Sequence, residues 1–349
     1  MNIIIITTIS VIVAILSLSI IYINRYIGNK FVDNLDGIQK FHSSPTPRLG
    51  GLAVFITLLI SSFIISGEQK LFYIIILSSI PTFFTGLLED LFRNISPRKR
   101  LIGALSSGLV FVILSGFSVE NIDIKYLDDM LSIYVISLIF TSFAISGVIN
   151  SINIIDGFNG LASGSLILMF TGFAAIGWII EDTVILKLSI ILASIFFGFL
   201  VINFPFGYIF LGDSGAYLGG FLLSVVAILL PARNPEISAW ASFLICLYPI
   251  TETIFSIYRK IIRKGHHPSR PDRVHLHMLV YRGLARKISQ KLKIKNYRNP
   301  TTSVIMWFYP LTTSVMALIT FNNIYQTILM IALTVILYLL IYRKVSLNW

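Results

Sequence analysis

The stretch LSIYVISLIFTSFAISGVINSINIIDGFNGLASGSLILMFTGFAAIGWII, residues 131–180, contains a single charged side chain, Asp156. Its apolar runs, at about 131–149 and 160–180, flank a short polar segment. Each run is about as long as a helix needs to cross a hydrocarbon core of ~30 Å. The stretch therefore predicts two membrane-spanning helices joined by a polar turn.

The same alternation extends over the whole chain of 349 residues, of which 56% are hydrophobic and only 12% are charged. A soluble globule with this composition could not cover its apolar surface, whereas a bilayer supplies an apolar solvent. We predict an all-α polytopic membrane protein with a single membrane-embedded domain, residues 1–349, and about eleven transmembrane helices. The expected spans are 3–23, 51–67, 71–88, 101–118, 131–149, 160–180, 184–203, 215–231, 237–258, 302–320 and 324–342.

The first apolar run has no basic residue before it and no small-residue cleavage site, so we expect a retained span rather than a signal peptide. The chain has one cysteine, Cys246, which lies within a predicted span. An intramolecular disulfide is therefore excluded.

The chain has a net charge of +11, and the positions of its basic residues indicate how it is oriented in the membrane. Of the 27 Lys and Arg residues, 23 fall in alternate loops or at the C-terminus, which places them on one side of the membrane. The positive-inside rule makes that side cytoplasmic. We expect a periplasmic N-terminus, a cytoplasmic C-terminus, a bacterial inner-membrane location and no nucleic-acid partner.

Five polar segments lie at the predicted cytoplasmic boundary. They are PTPRLGG (45–51), EDLFRNISPRKR (89–100), NSINIIDGFNGLASG (150–164), FGYIFLGDSGAY (206–217) and RPDRVHLHM (270–278).

Carboxylates recur in or near these segments: Glu89, Asp90, Asp156, Asp213 and Glu252. Any one of them could be a helix cap or a solvated loop charge. Together they indicate a site, because ionisable groups near hydrocarbon are costly and are usually functional. Clustered hard oxygen ligands suit Mg2+, with Mn2+ as an alternative.

The last large loop, 264–301, carries His275 and His277 among basic residues. A histidine pair in a basic loop is often only solvated surface. Opposite a carboxylate cluster, it would suit an anionic diphosphate. We therefore expect this loop to contribute to an active site. One reaction that fits such a site is attack by a lipid phosphate on the β-phosphorus of a UDP-sugar, with UMP as the leaving group.

The sequence resembles the polyprenyl-phosphate N-acetylhexosamine-1-phosphate transferases, in particular the branch that initiates O-antigen and enterobacterial common antigen. The motifs that carry the resemblance run almost from end to end of the chain. They are HSSPTPRLGG, GLLED, NSINIIDG, FLGDSG, PITET and SRPDRVHLHM.

The resemblance implies a role for each matching residue. The acidic pair Glu89 and Asp90 would activate or position the lipid phosphate, with Asp156 as a further catalytic candidate. Asn153 and Asp213 would hold Mg2+. The substrate-binding candidates are Asn159 near the uracil, Arg273, His275, His277 and Arg282 near the donor diphosphate and sugar, and Arg48 and Glu252.

The chain departs from the family pattern at Glu89, Asn159 and Met278, where many members have aspartate, aspartate and histidine.

The expected donor is a UDP-N-acetylhexosamine, with UDP-GlcNAc as the default and FucNAc or QuiNAc sugars close behind. The acceptor is undecaprenyl phosphate. The sequence does not decide whether the lipid phosphate attacks directly or a covalent aspartyl intermediate forms. It also does not decide whether the chain forms a homodimer. A transporter of lipid-linked saccharides and an inactive family member are the alternatives.

Overall fold

A computed structural model describes residues 3–33, 45–64, 68–262, 274–294 and 297–347. These residues form fifteen α-helices, one antiparallel ribbon of two short strands and one turn of π-helix. The helices are α1 (Ile3–Tyr26), α2 (Gly50–Ile64), α3 (Gln69–Phe92), α4 (Pro97–Ser115), α5 (Lys125–Leu131), α6 (Tyr134–Ile155), α7 (Leu161–Ile179), α8 (Thr183–Asn203), α9 (Gly212–Arg233), α10 (Ala239–Ile245), α11 (Leu247–Ile262), α12 (Leu276–Val280), α13 (Arg286–Lys291), α14 (Arg298–Thr320) and α15 (Ile324–Leu347). The ribbon pairs β1 (Val32–Asp33) with β2 (Thr46–Pro47), and the π-turn is Tyr281–Ala285.

The predicted all-α, multi-pass architecture is confirmed. Within the described residues, eight helices are long and apolar enough to cross a membrane, and a ninth span is possible if α10 and α11 are counted together. The axes of α10 and α11 differ by 78°, so the apolar run 237–258 is not one straight span. Helix α2 has only 15 residues, and three consecutive basic residues follow the first residue of α4, Pro97. The count of eleven spans and the sides of the two termini stay predictions.

Helix α9 is the centre of the bundle. It is the most buried of the eight spans, and α2, α3, α6, α7 and α8 all pack against it. Small residues allow this close approach, as is usual where membrane helices meet. A Cβ atom at Gly51 would lie 2.2 Å from the backbone nitrogen of Gly215, and one at Gly86 would lie 2.6 Å from Ser214 Cα. The beginning of α9 is therefore held tightly between α2 and α3.

One end of the bundle collects the polar segments. Helices α3 and α6 end there, and α2, α4, α7 and α9 begin there. Helix α4 starts with a side-chain cap, since Ser96 Oγ accepts a hydrogen bond from the Lys99 N–H, and Pro97 occupies the first turn. Both residues are typical of helix starts. The cap brings Arg100, in the first turn of α4, to the same end as the start of α9.

The opposite end contains an ion pair between Asp182, which is buried before α8, and Arg233, which is exposed at the end of α9. Asp182 caps α8 by accepting from the Val184 and Ile185 N–H groups, and Arg233 Nε donates to its carboxylate at 2.9 Å. Burial acts to raise the pKa of Asp182, but the hydrogen bonds from Arg233, Asn234 and Ile185 outweigh it, so the pKa is lowered. A lowered folded-state pKa gives stability that is present at neutral pH and is lost as the pH falls through that pKa.

We expect Asp182→Asn to destabilise the protein by about 1 kcal/mol at pH 7, since Arg233 loses its charged partner but stays in contact with solvent. The difference from wild type should shrink as the pH falls below the ordinary aspartate pKa of about 4, and it should vanish once the pH has fallen through the lower pKa of the folded carboxylate. Thermal unfolding in detergent at pH 7 and at acidic pH measures both effects, with the exposed Asp129→Asn as the control. Equal melting temperatures at pH 7 would contradict this role for Asp182.

Candidate active site

Asp90 caps the start of α9 from the end of α3. Its carboxylate accepts hydrogen bonds from the Asp213 N–H at 2.9 Å, the Ser214 N–H at 2.9 Å and the Ser214 hydroxyl at 2.6 Å. The first N–H groups of a helix have no partner within the helix, and a carboxylate also interacts favourably with the positive end of the helix dipole. Asp90 is only 2% exposed. Its oxygens therefore fix the position of Asp213 rather than facing the aqueous side of the site.

Asp213 is the centre of the cluster. Its Oδ2 atom lies 2.7 Å from Arg100 Nη1, and its Oδ1 atom lies 3.3 Å from Arg48 Nη2 and 3.2 Å from Asn153 Nδ2. The structure thus brings Asp90, Asn153 and Asp213 together at one end of the bundle, as the sequence predicts. Their individual roles stay predictions.

Arg48 reaches this cluster because the segment before α2 is bonded to the segment before α9. The Phe210 N–H donates to the Pro47 carbonyl, and the Gly50 and Gly51 N–H groups donate to the Phe210 and Leu211 carbonyls. Burial acts to lower the pKa of Arg48, but the nearby carboxylates, Asp213 first, raise it above its usual value. Arg48 is therefore a permanent cation between Asp213 and Asp90, whose Oδ1 atom lies 3.4 Å from Arg48 Nη2.

Two further predicted acids lie at the same end. Glu89 is half-buried, and its Oε2 atom accepts from the Ile95 N–H at 2.8 Å, which closes the turn between α3 and α4. Asp156 follows α6 directly and is also half-buried. Burial raises the pKa of Asp156 to about 7, and the negative charges of Asp213 and Asp90 add to the effect. Asp156 is therefore in electrostatic contact with the cluster.

Asn159 lies in the tight turn between α6 and α7 and is almost fully buried. Its N–H donates to Asn299 Oδ1 at 2.8 Å, and its Nδ2 atom donates to the Pro205 carbonyl at 2.9 Å. The next residue, Gly160, has its carbonyl bonded to Trp307 Nε1. Asn159 thus connects this turn to the loop before α9 and to α14. Its predicted contact with a uracil stays a prediction.

The histidine segment lies beside this turn. His275 and His277 are buried, and their rings are stacked with centroids 5.3 Å apart. The His277 ring is also 5.7 Å from the Phe158 ring, in an edge-on arrangement. The sequence HxH therefore places two imidazoles next to the loop that follows Asp156.

The structure gives Glu252 a different environment from the predicted substrate-binding one. Glu252 Oε1 lies 3.0 Å from His275 Nδ1 and accepts from the Leu276 N–H, and Oε2 accepts from the Tyr338 hydroxyl. These contacts engage both oxygens within the protein. Arg282 lies in the π-turn that follows α12 and is half-buried. Arg273 lies outside the described residues.

Two contributors to the cluster were not predicted from the sequence, namely Arg100 and Ser214. In PRKR, the sequence alone does not distinguish Arg100 from the neighbouring basic residues. Ser214 is the serine of the motif GDSG, and its position in the first turn of a helix was the available signal for hydrogen bonding.

The donor set suits a hard divalent cation. The carboxylates of Asp213 and Asp156 and the amide of Asn153 offer oxygen atoms, the ligands that Mg2+ prefers. Among the residues that the structure describes, no group of three or more His, Cys, Asp or Glu side chains is close enough to hold a metal alone. The cluster therefore fits an ion held by one or two side chains and completed by substrate phosphates.

The fold and the site together define an all-helical, multi-pass membrane protein with arginines, carboxylates and imidazoles gathered at one end of its bundle. The sequence profile of glycosyl transferase family 4 matches residues 72–231. The chain belongs to this family, the polyprenyl-phosphate N-acetylhexosamine-1-phosphate transferases, which confirms the resemblance.

Three bacterial relatives are informative. The chain is 32% identical to the undecaprenyl-phosphate alpha-N-acetylglucosaminyl 1-phosphate transferase of Thermotoga maritima, over 74% of this chain and 75% of the relative. It is 29% identical to a probable undecaprenyl-phosphate N-acetylglucosaminyl 1-phosphate transferase of Bacillus subtilis, over 72% and 70%. It is 25% identical to an undecaprenyl-phosphate alpha-N-acetylglucosaminyl 1-phosphate transferase of Yersinia pestis, over 81% and 78%.

Proposed function

We propose that this protein transfers an N-acetylhexosamine 1-phosphate from a UDP-sugar to undecaprenyl phosphate at the cytoplasmic face of the bacterial inner membrane. An oxygen of the lipid phosphate forms a bond to the β-phosphorus of the donor, the bond from that phosphorus to the bridging oxygen breaks, and UMP leaves. The product is a lipid diphosphate sugar that begins a cell-surface polysaccharide. The relatives from Thermotoga maritima and Bacillus subtilis, named for this type of transfer, support the proposal.

The observation that carries the proposal is the placement of Asp213. A carboxylate fixed at a helix start, with two arginines and an amide on its oxygens, is a preorganised charged site, and preorganised charge is the main means of catalysing phosphoryl transfer. Asp213 and Asn153 would hold Mg2+, which would offset the negative charge of the donor diphosphate. Arg48 and Arg100 would pair with phosphate oxygens, since guanidinium groups match them geometrically.

The remaining residues orient the substrates. Asp90 fixes the start of α9, and Asn159 holds the turn that faces the histidine segment. His275 and His277 supply nitrogen donors for the diphosphate or the sugar. A lipid phosphate is already mostly ionised near neutral pH, so its attack needs orientation and charge compensation more than a general base.

The direct test uses the purified protein in nanodiscs with Mg2+, undecaprenyl phosphate and UDP-GlcNAc. We expect UMP and a lipid diphosphate sugar to form together, and both to require all three additions. A panel of UDP-N-acetylhexosamines, including UDP-FucNAc and UDP-QuiNAc, then identifies the preferred donor. Movement of a lipid-linked saccharide without UMP release would indicate a transporter, and neither activity with any donor would indicate an inactive family member.

A further inference from the structure

The final helix of the chain contacts the histidine segment through a buried carboxylate. Glu252 on α11 is 0% exposed. Its Oε1 atom binds His275 Nδ1 and the Leu276 N–H, at 3.0 and 2.9 Å, and its Oε2 atom accepts from the Tyr338 hydroxyl on α15 at 3.0 Å. A buried carboxylate is stable only when its oxygens are satisfied, so each donor helps to fix the others.

A second tyrosine on α15 makes a parallel contact. The Tyr342 hydroxyl donates to the Val274 carbonyl at 2.9 Å and accepts from Arg259 Nη1 at 2.9 Å. Tyr338 and Tyr342 are four residues apart, so they share one face of α15. That face therefore holds residues 274–276 directly, through Tyr342, and indirectly, through the Glu252 carboxylate that Tyr338 binds.

The contacts continue from these residues into the active site. His275, held by Glu252, is stacked on His277 with the two ring planes within 4° of parallel. A Cβ atom at Gly157 would be 3.7 Å from His277 Nε2, so this ring lies against the loop that begins with Asp156. The orientation of His277 beside that loop thus depends on groups on α11 and α15.

We propose that Tyr338 and Tyr342 are positioning residues, which keep the histidine segment, residues 274–280, in the orientation that binds the phosphates of the donor. This inference rests on the proposed function. Neither hydroxyl contacts the Asp213 cluster. Tyr342 acts on the segment directly, and Tyr338 acts on it through Glu252. Loss of one contact would lower the fraction of molecules with the segment in place, and the apparent affinity for the donor falls in proportion to that fraction.

The test compares Tyr338→Phe with Tyr325→Phe in the full-length protein in nanodiscs. Both changes remove one hydroxyl from the same helix, but Tyr325 is 84% exposed at the other end of α15. Hydrogen–deuterium exchange is measured for the peptides that cover α12 and α9, and kinetics are measured with UDP-GlcNAc. In Tyr338→Phe we expect exchange in α12 to rise at least about fivefold while α9 is unchanged. We expect KM for UDP-GlcNAc to rise about five- to tenfold, with kcat changed less.

Tyr342→Phe should give the same pattern, which guards against a folding defect peculiar to one variant. A uniform rise in exchange across both helices, or α12 exchange and KM within twofold of Tyr325→Phe, would overturn the proposal. If the wild-type protein releases no UMP, the proposed function has failed. Hydrogen–deuterium exchange of α12 in the two tyrosine variants then still decides whether Tyr338 and Tyr342 hold the segment.

Discussion

Replacement of Asp213 by asparagine should lower the rate of UMP release by at least about a hundredfold, the range found when one preorganised electrostatic contact is removed from an active site. The change keeps the size of the side chain but removes its charge. Arg48 and Arg100 then lose the carboxylate that now lies 3.3 and 2.7 Å from them. The proposed ligand for Mg2+ loses its charged oxygen at the same time.

The measurement is UMP release over a Mg2+ titration, together with Mg2+-dependent binding of UDP-GlcNAc to the protein without acceptor. Both should be lost in Asp213→Asn. Loss of the two arginine contacts should also lower its melting temperature, so the assays are run at a temperature where a thermal unfolding curve shows the variant still folded. Asp129→Asn removes a carboxylate from an exposed position and serves as the matched control. Turnover within twofold of wild type in Asp213→Asn would remove this residue from the mechanism.

Asp90→Asn should be more damaging than Glu89→Gln, with a loss of about a hundredfold in kcat/KM, because a displacement of about 1 Å in a catalytic group has that cost. The amide of asparagine would direct hydrogen atoms towards N–H and hydroxyl donors that now bind both Asp90 oxygens. The start of α9, and with it Asp213, would then shift. Glu89→Gln keeps an oxygen for the Ile95 N–H and should lose much less activity.

Kinetics and thermal unfolding of the two variants, measured side by side, test this order. Asp90→Asn should also unfold at a lower temperature than Glu89→Gln, since it breaks a helix cap between two core helices. The same activity in both variants and in wild type would show that neither acid contributes. A greater loss in Glu89→Gln would assign the chemical role to Glu89.

The class of fold could be predicted from the sequence, and so could the convergence of Asp90, Asn153 and Asp213 at one end of the bundle. Long apolar runs indicate membrane spans, and an uneven distribution of basic residues between loops indicates orientation. Hydropathy alone therefore predicted the all-α bundle. Since alternate loops share one side of a membrane, Asn153 and Asp213 could be expected to meet although 60 positions separate them.

The roles of single side chains were less accessible. Asp90 caps a helix 123 positions away, and Arg100 binds Asp213 from 113 positions away, so no local pattern reports either contact. Glu252 was expected to bind substrate. The sequence did not show that its carboxylate faces Tyr338 and His275, because those partners lie far away in the chain. The bend between α10 and α11 is also invisible to hydropathy, although Pro249 in the first turn of α11 gave a local hint.

Because α9 is enclosed by other helices, its own surface touches few acyl chains. We expect differences in bilayer thickness or lipid composition to act first on α1 and α15, which are the two least buried of the eight spans. The helix that carries Asp213 is thus separated from the surrounding acyl chains by its neighbours. An enzyme built in this way should retain its catalytic geometry when it is moved between detergent, nanodisc and native membrane.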